Sequence, residues 1–326
     1  MRDSGFFIGL LILSLMICMI FVDPVEGKKE SIIWTRGADI PLPRGGYFAA
    51  WYNDGLWLAG GSYWKEGKKL WTDEASFYNP KTKNWSGLKP IPKALGYGAT
   101  AKAGKDLYLF GGTDAGGNLN RNVYRLRDGN WSEIGESPAG FIYPAYAVVG
   151  KKVYIFGGST SPNDVTKATN DTWIYDTETN KWEKSTPFPG APRQTFSAVA
   201  IGKSIYIFGG VTQKTGEKFY NLDDAYRFYT KTRKWSEIKK MPVAMRAFWA
   251  GTDGKSVYLI GGYAEAGLDT IYRYSPSTDS YELVSKLPQS LMDTKFIYNK
   301  GKFYGASGED KLVSRFAGLV IGVLSK

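Results

Sequence analysis

An all-β fold assembled from six copies of one four-stranded unit is what the sequence predicts, on three observations. First, a short apolar run ending in a glycine pair recurs: LWLAGG ending at Gly61, LYLFGG at Gly112, VYIFGG at Gly158, IYIFGG at Gly210 and VYLIGG at Gly262, with a weaker sixth, FYGASG, at Gly308. Second, an aromatic anchors each copy (Trp34, Trp85, Trp131, Trp182, Trp235, Tyr281), and a proline stands seven residues after it (Pro41, Pro92, Pro138, Pro189, Pro242, Pro288). Third, each proline is followed after 19 or 20 residues by the next glycine pair. Self-similarity at this period marks a repeat architecture, in which each unit buries its apolar face only against its neighbours.

Within a copy the hydropathy changes strand by strand. In the fourth copy QTFSAVAIG and KSIYIFGG are apolar, as inner strands covered on both faces must be. DDAYRFYT alternates, and KWSEIKK begins on Trp235 and ends in charge, which suits an exposed outer edge. Turn residues separate them, as at Ile201-Gly202-Lys203 and Thr230-Lys231-Thr232. The glycine pair lets the backbone bend where the second strand ends near a crowded axis.

Residues 1–27 read apart from this pattern. Phe6 to Val22 is an apolar run of 17 residues, short for a membrane-spanning helix of about 20. Val25-Glu26-Gly27 follows with small residues at the spacing a signal peptidase uses. We expect a secretory signal over 1–27 and one domain over 28–326, in a secreted or periplasmic protein. The alternative is an uncleaved anchor through residues 6–22 with the domain facing outward. Removing residues 1–27 takes one base (Arg2) from 42 and three acids (Asp3, Asp23, Glu26) from 31, leaving 41 against 28 and a net charge of +13.

Composition closes several routes. The one cysteine, Cys18, lies inside the apolar run, and there is no histidine. An intrachain disulfide framework, histidine-ligated metals, Ser-His-Asp triads and Cys-His nucleophile pairs are therefore excluded. No metal or cofactor is expected. The basic balance favours acidic partners in general. Nucleic acid is not expected, because the lysines are scattered over turns and the protein is expected to be exported.

The double glycine followed by spaced Tyr and Trp resembles the kelch repeat, over essentially all of residues 31–326. The resemblance implies a six-bladed β-propeller. Trp34 and Pro41 belong to a fourth strand with no first three before it, and three strands without a Trp follow Pro288. The N-terminal strand should therefore complete the last blade and close the ring. The copper-radical oxidase chemistry found on some kelch propellers needs histidine ligands and a Cys-linked Tyr, so it is excluded by composition.

On a propeller, chemistry sits in loops at one end of the central channel. Two loop sets share that end: the entering loop after each proline, and the loop after each glycine pair. The entering loops present Arg44, Arg193 and Arg246, with Lys295 in the sixth copy, among aromatics that include Tyr47, Tyr97, Tyr143, Phe196, Phe248 and Trp249. Guanidinium groups clamp carboxylates and aromatic faces pack on sugar rings. We expect Arg44, Arg193, Arg246, Lys295, Tyr47, Tyr143 and Trp249 to bind substrate. Without histidine, proton transfer needs an acid. Carboxylates follow the glycine pairs (Asp73, Glu74, Asp114, Asp223, Asp224, Glu265, Asp269, Glu309, Asp310), and Asp293 lies in an entering loop. Glu265, in a short loop, is the expected catalytic residue.

A secreted six-bladed kelch chain of this size resembles the bacterial N-acetylneuraminate epimerase (sialic acid mutarotase) group. Ala191-Pro192-Arg193-Gln194 and Arg246-Ala247-Phe248 are similar to that group's Pro-Arg and Arg-Ala-Tyr entering loops, and GGYAEAGLDT (Gly261 to Thr270) to its stretch carrying an acid and a basic partner. Tyr263 falls where that acid would be and Asp269 where the Arg would be, with Glu265 two positions along. The resemblance implies a cofactor-independent epimerase or mutarotase acting on a small acidic sugar such as a sialic acid. The alternative is a non-catalytic module that binds an acidic glycan, polyanion or protein through the same face.

Overall fold

The computed structural model describes residues 30–311 and 313–325, so the expected signal segment over 1–27 lies outside the described residues. Among the described residues the strands form six four-stranded sheets and two two-stranded ribbons. Blade one is Phe48–Tyr52, Gly55–Ala59, Ala75–Asn79 and Asn84–Leu88, hydrogen-bonded in that order. Blades two to five repeat it, from Ala99–Ala103 through Asn130–Glu136, Ala145–Val149 through Lys181–Ser185, Ser197–Ile201 through Lys234–Ile238, and Trp249–Thr252 through Ser280–Lys286. The first strands of successive blades pack side by side around the axis. The second strands are almost wholly buried, as in Ser204–Phe208, and the fourth are half-buried to exposed, as in Lys234–Ile238. The ribbons, Ser62–Lys65 with Lys68–Trp71 and Val211–Thr212 with Tyr220–Asn221, rise from the loops after the glycine pairs of blades one and four.

Closure follows the sequence expectation. Blade six takes Phe296–Asn299, Lys302–Ala306 and Leu319–Ser325 from the end of the chain and its outer strand, Ser31–Gly37, from the beginning. Ser31–Gly37 pairs antiparallel with Leu319–Ser325, Trp34 opposite Gly322. Ile32 is buried with Phe296, Phe303 and Phe316, and Trp34 meets Phe296 edge-on at 5.7 Å. Burying one such side chain stabilises by about 1.5–3 kcal/mol, so this strand anchors the ring by packing as well as pairing.

The repeat tryptophans are packing residues. Trp182 lies 4.9 Å from Tyr175 and Trp235 4.7 Å from Phe228, ring to ring across the outer strand pair. Trp85 and Trp235 also donate to the preceding blade, to the carbonyls of Ala38 (2.9 Å) and Thr186 (3.1 Å).

The glycine pair is required by the inter-blade contact. Gly61 has φ 92°, and a Cβ there would lie 2.6 Å from the carbonyl oxygen of Gly45. In the sixth copy Ser307 replaces the first glycine at φ 63°. Its hydroxyl accepts from the Arg44 N–H (2.6 Å) and donates to the Arg44 carbonyl (2.7 Å), joining blade six to blade one.

Candidate functional site

Each entering loop turns inward through the residues that follow its proline. The third residue after the proline is Arg44, Leu95, Phe141, Met245 or Leu291, and in blade four, where the loop is one residue longer, Arg193. The carbonyls of all six accept from the second residue of a preceding glycine pair, Gly61 N–H to Leu95 through Gly308 N–H to Arg44, at 2.7–3.0 Å. We call this the wedge position, since its side chains are buried between blades.

Two residues on stand Gly46, Tyr97, Tyr143, Thr195, Ala247 and Asp293, all at φ between 51° and 64°. Their backbones form a chain around the axis. Tyr97 N–H donates to Gly46 (2.6 Å), Tyr143 to Tyr97 (2.8 Å), Thr195 to Tyr143 (3.1 Å), Ala247 to Thr195 (2.9 Å) and Asp293 to Ala247 (2.8 Å). The last step is different: Gly46 N–H donates to the carboxylate Oδ2 of Asp293 (2.5 Å). Five amide links and one carboxylate link thus complete an annulus.

Inside this annulus lies a cavity of about 610 Å3. All six annulus residues line it, together with Phe196, Phe248, Trp249, Tyr263 and Phe219 and the charged groups Lys69, Arg246, Lys295, Asp293 and Glu309. Tyr146 of blade three lies 6.2 Å from Trp249 of blade five, and the Lys295 ammonium of blade six is 5.1 Å from the Trp249 ring and 5.8 Å from Tyr146. These three side chains meet across the channel and all line the cavity.

Three cations face the cavity, each backed by two rings. Lys69 lies over Trp71 (5.0 Å) and Tyr97 (4.9 Å), Lys295 over Trp249 and Tyr146, and Arg246 over Tyr263 (4.5 Å) and Phe219 (5.3 Å). Aromatic faces hold a cation without using its N–H donors. Arg246 spends one donor on Asn221 Oδ1 (2.8 Å). The ammonium groups of Lys69 and Lys295 make no hydrogen bond or ion pair among the described residues.

Burial, with the Arg315 charge assisting, lowers the proton affinity of Lys69. Burial pushes the Asp293 carboxyl up despite Lys295 and Arg315, and pushes Glu309 up with help from Asp293. Glu309 is paired with Arg315 at 2.5 Å. Burial also raises Tyr97 and Tyr143, so both phenols are protonated at neutral pH.

Of the residues expected to bind substrate, Arg246, Lys295, Tyr143 and Trp249 line the cavity. Arg44, Arg193 and Tyr47 do not, and neither does Glu265, the residue expected to be catalytic. Arg44 and Arg193 occupy the wedge position and are fully buried. Arg44 donates to the carbonyls of Leu42 (2.9 Å) and Glu74 (2.7 Å) and to Ser76 Oγ (3.2 Å). Arg193 grips Asp224 with both terminal nitrogens, at 2.5 and 2.7 Å. The three arginines are therefore not equivalent: Arg246 comes one residue later than the wedge, next to the annulus. Tyr47 is buried with its hydroxyl donating to Ala306 O (2.5 Å) and accepting from Lys295 N–H (2.9 Å). Glu265 is exposed on the loop after the blade-five glycine pair. The acids that do line the cavity are Asp293 and Glu309. Sequence reasoning missed Lys69 and Phe219, because Lys69 lies on one ribbon and Phe219 immediately before a strand of the other, and neither insertion follows the repeat register.

Comparison with known proteins supports the architecture. The family described as "KLHDC2/KLHL20/DRC7 Kelch-repeats domain" matches residues 98–292. The chain belongs to the kelch-repeat family. Kelch-like protein 25 of Xenopus tropicalis is 27% identical over 270 residues, covering 81% of this chain and 36% of that protein. N-acetylneuraminate epimerase of Yersinia pestis (strain Pestoides F) is 34% identical over 106 residues, 31% of this chain and 27% of that enzyme. The chain thus spans about a third or less of the curated relatives it matches. The solved structure of YjhT superposes with a TM-score of 0.69 at 19% identity, covering 77% of this chain and 87% of that one, a likeness of fold. No helix among the described residues is long and apolar enough to cross a membrane.

Proposed function

We propose that this chain is an exported kelch propeller that binds a small acidic sugar in the channel-mouth cavity and interconverts its anomers, as a cofactor-independent epimerase or mutarotase. One observation carries the reading: Lys69, Arg246 and Lys295, each held on aromatic faces, surround a cavity large enough for a monosaccharide. Unpartnered ammonium donors suit a carboxylate, and Trp249, Tyr143 and Tyr97 supply ring faces for the sugar. The partial similarity to N-acetylneuraminate epimerase makes N-acetylneuraminate the first ligand to try. Acids needed for proton transfer are present at the cavity wall as Asp293 and Glu309.

Titration calorimetry with N-acetylneuraminate, followed by exchange NMR of its anomers with and without protein, tests this reading. Binding with accelerated exchange is the expected result; the absence of both would remove it. The similarity to Kelch-like protein 25 favours a second reading, a binding module for an acidic glycan or protein at the same mouth. Binding without acceleration would favour that one.

A further inference from the structure

The annulus has one irregular link. Five of its six steps use a backbone carbonyl as acceptor; the step from blade six to blade one uses a side chain. Asp293 Oδ2 is held by the Gly46 N–H, which fixes the rotamer, while Oδ1 has no hydrogen-bond donor among the described residues and the residue lines the cavity. A carboxylate with one oxygen anchored to rigid backbone and the other free toward a ligand site is the arrangement a general base requires.

We propose that Asp293, rather than Glu265, is the catalytic acid–base residue of the channel-mouth site, a role that rests on the acidic-sugar reading above. In ring opening, Asp293 Oδ1 takes the proton of the anomeric hydroxyl. The anomeric oxygen forms the carbonyl as the bond between the anomeric carbon and the ring oxygen breaks. The electron pair leaves on the ring oxygen, which takes a proton from water in the open cavity. Reclosure reverses each step on the other face of the carbonyl: the chain hydroxyl attacks and loses its proton to water, and Asp293 returns its proton to the new anomeric oxygen. Nothing is oxidised, and no cofactor enters.

The groups around Asp293 shape the pH dependence. Lys295, Arg315 and Lys69 favour its charged form, whereas burial and the neighbouring Glu309 oppose it; Tyr47, Tyr97 and Tyr143 are protonated partners at the same wall. Burial prevails, so the active ionised form is lost, as pH falls, at a higher pH than the ordinary carboxylate value of 3.8.

Asp293→Asn is the decisive variant. Asparagine tolerates the left-handed backbone at φ 53°, and its amide oxygen still accepts from Gly46 N–H, so the annulus stays closed. Anomer exchange of N-acetylneuraminate is measured by exchange NMR across pH, alongside calorimetric Kd and Tm. The expected result is a loss of exchange rate of about a hundredfold or more, with Kd and Tm near wild type and the acid limb of the profile gone. Exchange in Asp293→Asn at the wild-type rate would overturn the assignment and leave the acidic-sugar reading standing. Should Asp293→Asn not fold, the acid limb in Glu309→Gln decides: its persistence supports Asp293, and its disappearance overturns it. A wild-type protein that binds the sugar without accelerating exchange overturns the assignment together with catalysis, whereas failure to bind removes the site reading itself.

Discussion

One residue separates the wedge position from the annulus in every blade, and the fates of the two positions are opposite. The wedge takes Arg44, Leu95, Phe141, Arg193, Met245 and Leu291 and buries each of them between sheets. The annulus takes Gly46, Tyr97, Tyr143, Thr195, Ala247 and Asp293 and turns each toward the channel. Arginine at the wedge replaces an apolar plug, and its charge is absorbed by carbonyls and by Asp224. Arginine one step later, at Arg246, reaches the cavity wall with one donor on Asn221. Residue type alone does not mark a binding residue on a repeat fold; the offset from the repeat's fixed point does.

The comparison can be broken most forcefully at Arg193. Arg193→Leu supplies the side chain found at two other wedges but strands the Asp224 carboxylate. We expect a loss of about 3 kcal/mol in denaturant unfolding, with about half recovered in the double variant Arg193→Leu/Asp224→Asn. The pH dependence has a definite sign. Burial pushes Asp224 up, but the Arg193 guanidinium outweighs it, and the carboxyl ends below its ordinary 3.8. The pair's contribution is therefore complete above that value and is lost as pH falls through the lower folded pKa. The Arg193→Leu protein should lack this acid-side loss. Its affinity for an acidic sugar should be unchanged.

The converse holds at Arg246 and Lys295. Replacing either with Met keeps a stem on the aromatic faces and removes the charge. Each should weaken an acidic sugar by about 1.5–3 kcal/mol in calorimetry, with little change in Tm. At the seam, Ser307→Ala deletes both hydroxyl bonds to Arg44 and should cost about 1–2 kcal/mol of stability without altering affinity. Smallest of all, Glu265→Gln should change neither exchange rate nor stability, because that carboxylate is exposed and outside the cavity.

Much of this was legible beforehand. Six copies, their four strands and the closing N-terminal strand follow from Trp, Pro and glycine-pair spacing, because packing holds those positions to one residue type in nearly every blade, Tyr281 and Ser307 being the exceptions. The wedge–annulus offset was also written in the chain. Counting from the proline puts Arg44 third and Arg246 fourth, and the interval of 20 rather than 19 residues in blade four marks the extra residue that brings Arg193 back to the wedge. Grouping the three arginines by loop instead of by count merged two environments. Asp293 was visible as an acid in an entering loop, but the annulus residues share a backbone conformation and no chemistry, so nothing in their identities singles it out. Lys69 and Phe219 lie on insertions whose course depends on tertiary contacts.

The most direct measurement of the central claim is calorimetric titration of N-acetylneuraminate into the wild-type protein and the Arg246→Met/Lys295→Met double variant. The account predicts saturable binding by the wild type and a loss of affinity of about a hundredfold or more in the folded double variant. Equal affinity in the two proteins, or no binding by either, would contradict it.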